Sequence, residues 1–334
     1  MIPMFGRKLV RAIVVAGLAV SLSACYYLQA ARGQLEIMHK REPIDEVINA
    51  SDTPAELSKR LQLVKEARLF SIDELGLPDN DSYRLYADIE REYVVWNVFA
   101  APEFSLQAKS WCFPVAGCVN YRGYFSKDAA HRKAEQLRGD YDVAVGGVAA
   151  YSTLGKFSDP VLNTMMNWED ADLVAVMFHE LAHQVLYVKG DSGFNESFAT
   201  AVEEFALERW LGSRNQTSEL TRYQETQEVR ERLMKHVQRA RLDLEAIYSS
   251  SLRTDEMRLK KKDRIDQLTT DLNNEFEQSG RESPRWLSEG LNNARLASLS
   301  LYHGRLPEFR TLLAACDDDL ECFYERARAL AEKL

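Results

Sequence analysis

The segment from Asp172 to Val188 reads DLVAVMFHELAHQVLYV, an apolar helix with acidic residues at its start and Lys189-Gly190 at its end. A helix this apolar has to be buried, and burial is costly for His179, Glu180 and His183 unless the fold gives each a partner. The spacing says what kind of partner. Histidines four residues apart project from one face a turn apart, so both imidazoles reach one divalent ion at about 2.0–2.1 Å. The intervening Glu180 then lies beside the ion's open position, where it can take a proton from an attacking water and pass it to a leaving amine.

Beyond Gly190 the residues DSGFNESFAT open a second helix that runs to about Leu211. A turn over Gly190 to Gly193 folds it back along the first, so that Glu196 completes a His2Glu site for one Zn²⁺ per chain and leaves a fourth position for water. Glu203, seven residues later on the same face, and Glu204 are the substitute ligands. For Asn195 the sequence leaves open whether it caps the helix, orients a neighbour or meets substrate.

HELAHQ (His179 to Gln184) followed by NESFA (Asn195 to Ala199) resembles the gluzincin aminopeptidases. The chain from Cys25 onward, including WNVFAAPEFSL (96–106), WCFPVAGCVNYRGYF (111–125), AYSTLGKFSDP (150–160) and LNNARLASLSLYHGRLPEF (291–309), is similar to a bacterial family of predicted zinc aminopeptidases often found as lipoproteins. The resemblance implies Glu196 as third ligand and a peptide substrate with a free amine. It also suggests a tyrosine or histidine that stabilises the oxyanion, for which Tyr302, His303 and Tyr151 are the candidates. Two departures stand out. The 13 positions from His183 to Glu196 form a tighter connection than in the well-known aminopeptidases, and no GAMEN-type segment supplies a glutamate for the substrate amine. Its place is taken by GGVAAY (Gly146 to Tyr151), an edge strand whose Gly147, Ala149 and Tyr151 are expected to pair with an extended peptide. Glu103 is a further candidate for holding the ammonium group. Endopeptidase action remains open.

The first 24 residues read as an export signal: basic Arg7, Lys8 and Arg11, an apolar run too short to span a bilayer, and Leu22-Ser23-Ala24 before Cys25. LSAC resembles a lipobox, which implies diacylation of Cys25, and Tyr26 in place of aspartate resembles outer-membrane sorting in Gram-negative bacteria. The expected location is the periplasmic face of the envelope, and the net charge moves from −9 to −12 once the signal is removed. With no basic stripe, nucleic acid is excluded as a partner. Cys112, Cys118, Cys316 and Cys322 are left as structural thiols; pairing within each couple, six residues apart, is favoured, and crossed pairing stays open.

Helical periodicity is expected from Gln34 to about Leu75, strands and loops from Tyr83 to Tyr124, and another strand over Asp142 to Tyr151. Residues 216–280 are charged and almost free of Gly and Pro, which predicts a two-helix arm turning at Ser249-Ser250-Ser251, with Lys260-Lys261-Lys262 as a solvated face. The reading is a mainly helical α+β fold with a zincin-like helix pair beside a small mixed sheet. A metallopeptidase domain spans 25–215, the arm 216–280, and a helical segment 281–334 packs back on the first. A non-catalytic envelope protein acting through its arm is the rival reading; an intact Glu180, which metal binding alone does not require, speaks against it.

Overall fold

The structure is a computed structural model that describes residues 26–113, 117–300 and 305–334; Cys25, Tyr302 and His303 lie outside the described residues. Residues 26–39 form helix α1. Strand β1 (Arg41–Pro43) leads into α2 (Ile44–Asn49) and α3 (Ala55–Asp73), which begin after Pro43 and Pro54, residues whose fixed φ suits a helix start. There follow β2 (Leu85–Ala87), β3 (Val95–Ala101), β4 (Trp111–Phe113), β5 (Gly117–Val119) and β6 (Arg122–Tyr124). Helix α4 (Lys127–Leu137) starts at Ser126, whose side chain accepts from the Ala129 N–H, and precedes β7 (Asp142–Val148) and β8 (Val161–Leu162). The rest is helical: α5 (Asp170–Val185), α6 (Ser192–Ser213), α7 (Thr217–Tyr248), α8 (Thr254–Gln278), α9 (Arg285–Ser288), α10 (Asn293–Ser300), α11 (Leu306–Ala314) and α12 (Leu320–Ala331).

The architecture is mainly helical α+β. The region from Gln34 to Leu75 is less continuous than its periodicity predicts, because Arg41 to Pro43 leave the helix to pair with Leu85 to Ala87. Among the described residues the small sheets are β1-β2-β8, antiparallel then parallel; β6-β3-β7, antiparallel throughout; and the antiparallel pair β4-β5, where Cys112 and Cys118 are bonded directly across the strands. Cys316 and Cys322 form the second disulfide.

Helices α5 and α6 pack along each other at the centre. Leu173, Met177, Phe178 and Leu181 of the first and Phe194, Phe198, Val202 and Leu207 of the second are buried in one core with α3 and the C-terminal helices. Phe198 is fully buried, with its ring 5.8 Å from Phe309 and stacked 5.7 Å from Phe323, which holds α11 and α12 onto α6.

The arm, α7 with α8, has its own core. Val237, Ala240 and Leu244 meet Leu268 and Leu272, and Leu106, Leu287 and Leu296 close it from outside. The expectation of a solvated lysine run fails at Lys261. Its side chain is only 12% exposed, and its ammonium donates to Asp142 at 2.6 Å and to the Glu103 carbonyl at 2.8 Å. Next to it Arg258 forms a fork onto the Glu103 carboxylate at 2.6 and 3.0 Å. The arm is therefore bolted to the end of the β3/β7 sheet rather than projecting from it.

Truncating Phe198 to alanine should cost about 3–5 kcal/mol, because it deletes the shared ring face between α6 and the two last helices. Urea denaturation of the purified chain with Cys316–Cys322 intact measures it.

Candidate metal centre

Helix α5 ends three residues short of the expected Val188, and the reason lies at the start of α6. The side chain of Asn195 accepts from the Val188 N–H at 2.7 Å and donates to the Val188 carbonyl at 2.8 Å, which fixes that residue outside the helix. Both polar ends of the Asn195 amide are thereby used, and the residue is 2% exposed, so it orients the connection rather than facing substrate. Asp191 caps α6 by accepting from the Phe194 N–H at 2.9 Å. The short connection that results lays the first turn of α6 against the last turn and a half of α5.

His179, His183 and Glu196 are brought together by that turn, their ligand atoms all within 4.8 Å of one another. Glu196 stands between the rings, with one carboxylate oxygen 3.3 Å from His179 Nε2 and the other 3.8 Å from His183 Nε2. In a tetrahedral site with bonds of about 2.0–2.1 Å, ligand atoms sit roughly 3.4 Å apart, a spacing that the two distances from Glu196 approach, and the widest pair would draw closer around an ion. Glu203 is not a ligand in this arrangement. Its carboxylate lies 2.9 Å from His179 Nδ1, where it orients the ring and leaves Nε2 pointing at the shared centre. Glu204 faces elsewhere and takes a two-pronged contact from Arg310 at 2.8 Å on each oxygen.

The electrostatics ask for a cation. Burial opposes charge on His179, yet its hydrogen bonds to Glu196 and Glu203 outweigh that and raise its pKa well above the usual value. For His183 burial and the neighbouring His179 pull the other way, down to about 4, and its Nδ1 is a buried atom with no hydrogen-bond partner among the described residues. Burial pushes Glu180 up to about 7, against the pull of His179 and with the help of Glu196, Asp159 and Glu203. Three carboxylates surround two imidazoles, one held neutral and one at which the carboxylates favour positive charge, and a divalent ion would supply that charge.

Other predicted positions fall as follows. Glu103 is committed to Arg258. Strand β7 is a sheet edge, as expected, and alternation sends its odd-numbered carbonyls outward, since Val148 C=O points to the Val94 N–H of the neighbouring strand. Two of these outward carbonyls, Val143 and Val145, already accept from Asn292 and Arg295 at 3.0 Å each. The Ala149 carbonyl, expected to pair with peptide, accepts from the Thr164 hydroxyl at 2.6 Å. Gly147 lies between them, exposed, with the Tyr93 ring where a Cβ would stand. Tyr151 is half-buried, edge-on to Phe125 at 5.5 Å, and burial raises its phenol to about 12.

Sequence reasoning missed three neighbours of the centre. Burial and then the charge of Glu196 raise the phenol pKa of Tyr121, with smaller contributions from Tyr187, Glu180 and Tyr151. Burial and Glu196 act in the same direction on Tyr187. Both phenols therefore stay protonated donors at neutral pH. The third is Asp159, 2% exposed, which gathers the loop after Tyr151 by accepting from Ser152, from both the N–H and the hydroxyl of Thr153, and from the Gly155 N–H. At Gly155, φ is +74° and a Cβ would sit 2.7 Å from the side chain of Gln184, so only glycine lets this loop close on α5.

The chain belongs to the family described as "Putative aminopeptidase", whose model matches residues 25–334. No curated protein and no solved structure matches it.

Replacing Glu203 by alanine should lower divalent-metal affinity about 10–100-fold by freeing the His179 ring, with the fold unchanged. Competition with a chromophoric chelator, alongside circular dichroism, measures the change.

Proposed function

We propose that the protein is a zinc metallopeptidase, exported and held to the envelope by a lipidated Cys25, that acts on peptides and releases their N-terminal residues. The observation that carries this reading is the convergence of His179, His183 and Glu196 around one point with Glu180 on the same helix, in a chain of an aminopeptidase family. When bound, Zn²⁺ would polarise the scissile carbonyl and lower the pKa of water.

The remaining steps belong to the chain's own residues. His179 and His183 offer Nε2 and Glu196 its carboxylate, while Glu203 keeps the His179 ring from turning. Glu180, part of whose surface is open and whose carboxyl is already raised towards neutrality, is suited to accept a proton from water and return it to the leaving amine. Beside Tyr302, Tyr121 and Tyr187 are further candidates for donating to a developing oxyanion: protonated phenols whose pKa the charge of Glu196 helps to raise. The outward backbone of Gly147 is the rung on which an extended peptide would align. The lipobox-like LSAC and the basic, apolar segment before it support export and anchoring.

An endopeptidase reading draws on one particular finding. Glu103, the carboxylate set aside for a substrate ammonium, is held by Arg258 and is not free for that task.

Glu180→Gln should retain metal and lose turnover by at least about 10²–10⁴-fold, whereas Glu196→Ala should lose most of the roughly one equivalent of zinc. Elemental analysis and a panel of free and N-acetylated peptides check both points. Cleavage confined to free amines supports the aminopeptidase, and equal cleavage of acetylated peptides the endopeptidase. Undiminished hydrolysis by Glu180→Gln would overturn the mechanism.

A further inference from the structure

Helix α1 presents apolar side chains on both its buried and its exposed side. Its inner face is firmly docked. Tyr26 stacks on Phe113 at 5.5 Å, meets Tyr124 edge-on at 5.5 Å and lies under the Arg122 guanidinium at 4.0 Å. Gln29 accepts from the Phe125 N–H at 3.1 Å, Ile37 is buried in the main core, and Gly33 meets the Phe125 ring so closely that a Cβ would overlap it. The outer face is different. At about 100° per residue, Tyr27, Leu28, Ala31, Arg32, Leu35 and His39 fall within one arc of about 140°. Leu28 is 71% exposed, Leu35 51% and Tyr27 46%, three of the eight large apolar side chains exposed among the described residues. The chain carries 51 acidic residues against 42 basic ones, yet this arc holds no carboxylate and has Arg32 and His39 along one edge.

We infer that the outer face of α1 is a membrane-contact surface: Tyr27, Leu28, Ala31 and Leu35 enter the headgroup and upper acyl region of the bilayer, with Arg32 and His39 at the level of the phosphates. The inference rests on the proposed acylation of Cys25, because that residue immediately precedes the helix and would bring its first turn to the lipid surface. The occupant follows from this adjacency and from the charge. An anchored cysteine leaves no spacer before a docked helix, so the face nearest the anchor has to meet lipid, and its composition suits an anionic interface. The folded body then lies on the membrane in a fixed orientation instead of hanging from a flexible tether. Because Phe125 packs on Gly33 and touches Tyr151, and both rings pack on the core that contains α5 and α6, the His179–His183–Glu196 centre shares that orientation.

Full-length chain, exported and acylated, carries the test as three separate variants, Leu28→Cys, Leu35→Cys and, on the exposed side of the arm, Leu242→Cys, each labelled with an environment-sensitive fluorophore. The purified proteins are reconstituted on vesicles of phosphatidylethanolamine and phosphatidylglycerol. The expected result is blue-shifted emission and quenching by a lipid-borne nitroxide at positions 28 and 35, with position 242 quenched only by aqueous iodide. If the protein floats with the vesicles but labels at 28 and 35 behave like the one at 242, the surface is not membrane-bound and the inference is overturned while the anchor stands. Shielding of 28 and 35 from both quenchers assigns the face to a protein partner and overturns it as well. Failure to float removes the anchor reading, and this inference with it.

Discussion

The pairing of the Asn195 amide with both the N–H and the C=O of Val188 is the interaction on which the rest of the centre depends. One side chain closes the connection between two helices at its narrowest point, stops α5 at Val185, and sets the rotational position from which Glu196, one residue on, faces His179 and His183. Because Asn195 is buried, these bonds do not compete with solvent, and a buried amide deprived of either partner would carry an unmet polar group. Away from the polar cluster of His179, His183, Glu196 and Glu203, the helix pair is sealed by apolar residues, and the aromatic stack at Phe198, one turn after Asn195, ties α6 to the C-terminal helices.

Around this hairpin the smaller elements act as braces. Gly117, the first residue of β5 in the disulfide-closed β4-β5 pair, reaches the same connection. A Cβ on Gly117, whose φ is +77°, would lie 2.8 Å from the Lys189 side chain, so glycine permits the approach. Tyr121 follows two residues after that pair. The Asp159 loop braces α5 at Gln184, and Gln184 in turn takes a hydrogen bond from Asn80 at 2.7 Å and donates to Ser82 at 3.3 Å. Covalent, polar and steric constraints thus converge on the residues flanking His179, His183 and Glu196, as a preorganised site requires.

The convergence of His179, His183 and Glu196 was legible in the sequence because helical periodicity converts spacing directly into direction: His179 and His183 share a face by arithmetic, and the short connection through Gly190 lets α6 fold back. The arm, the fold class and most element positions were legible for the same local reason. What escaped notice depends on contacts between distant segments. Nothing near Tyr121 marks it as a neighbour of Glu196, since the two meet only when the sheet and the helix pair are assembled. Lys261 looked solvated because its run is charged, and its burial is decided by Asp142 and Glu103 from over a hundred residues away. Glu203 was weighed as a ligand, yet the two helical turns that separate it from Glu196 take its carboxylate past the shared centre to the Nδ1 side of the His179 ring. Val188 was assigned to α5 by its apolarity, which does not register a side-chain amide competing for its backbone.

The outer edge of β7 has a consequence of another kind. An uncovered sheet edge is a standing invitation for copies of a chain to add strands to one another. Here Asn292 and Arg295 cover two of its carbonyls, and the Thr164 hydroxyl occupies the carbonyl just past its end. What is left at Gly147 is too short a template to propagate a ladder between molecules. The same coverings that would admit a brief stretch of extended chain there make the edge unable to seed an aggregate.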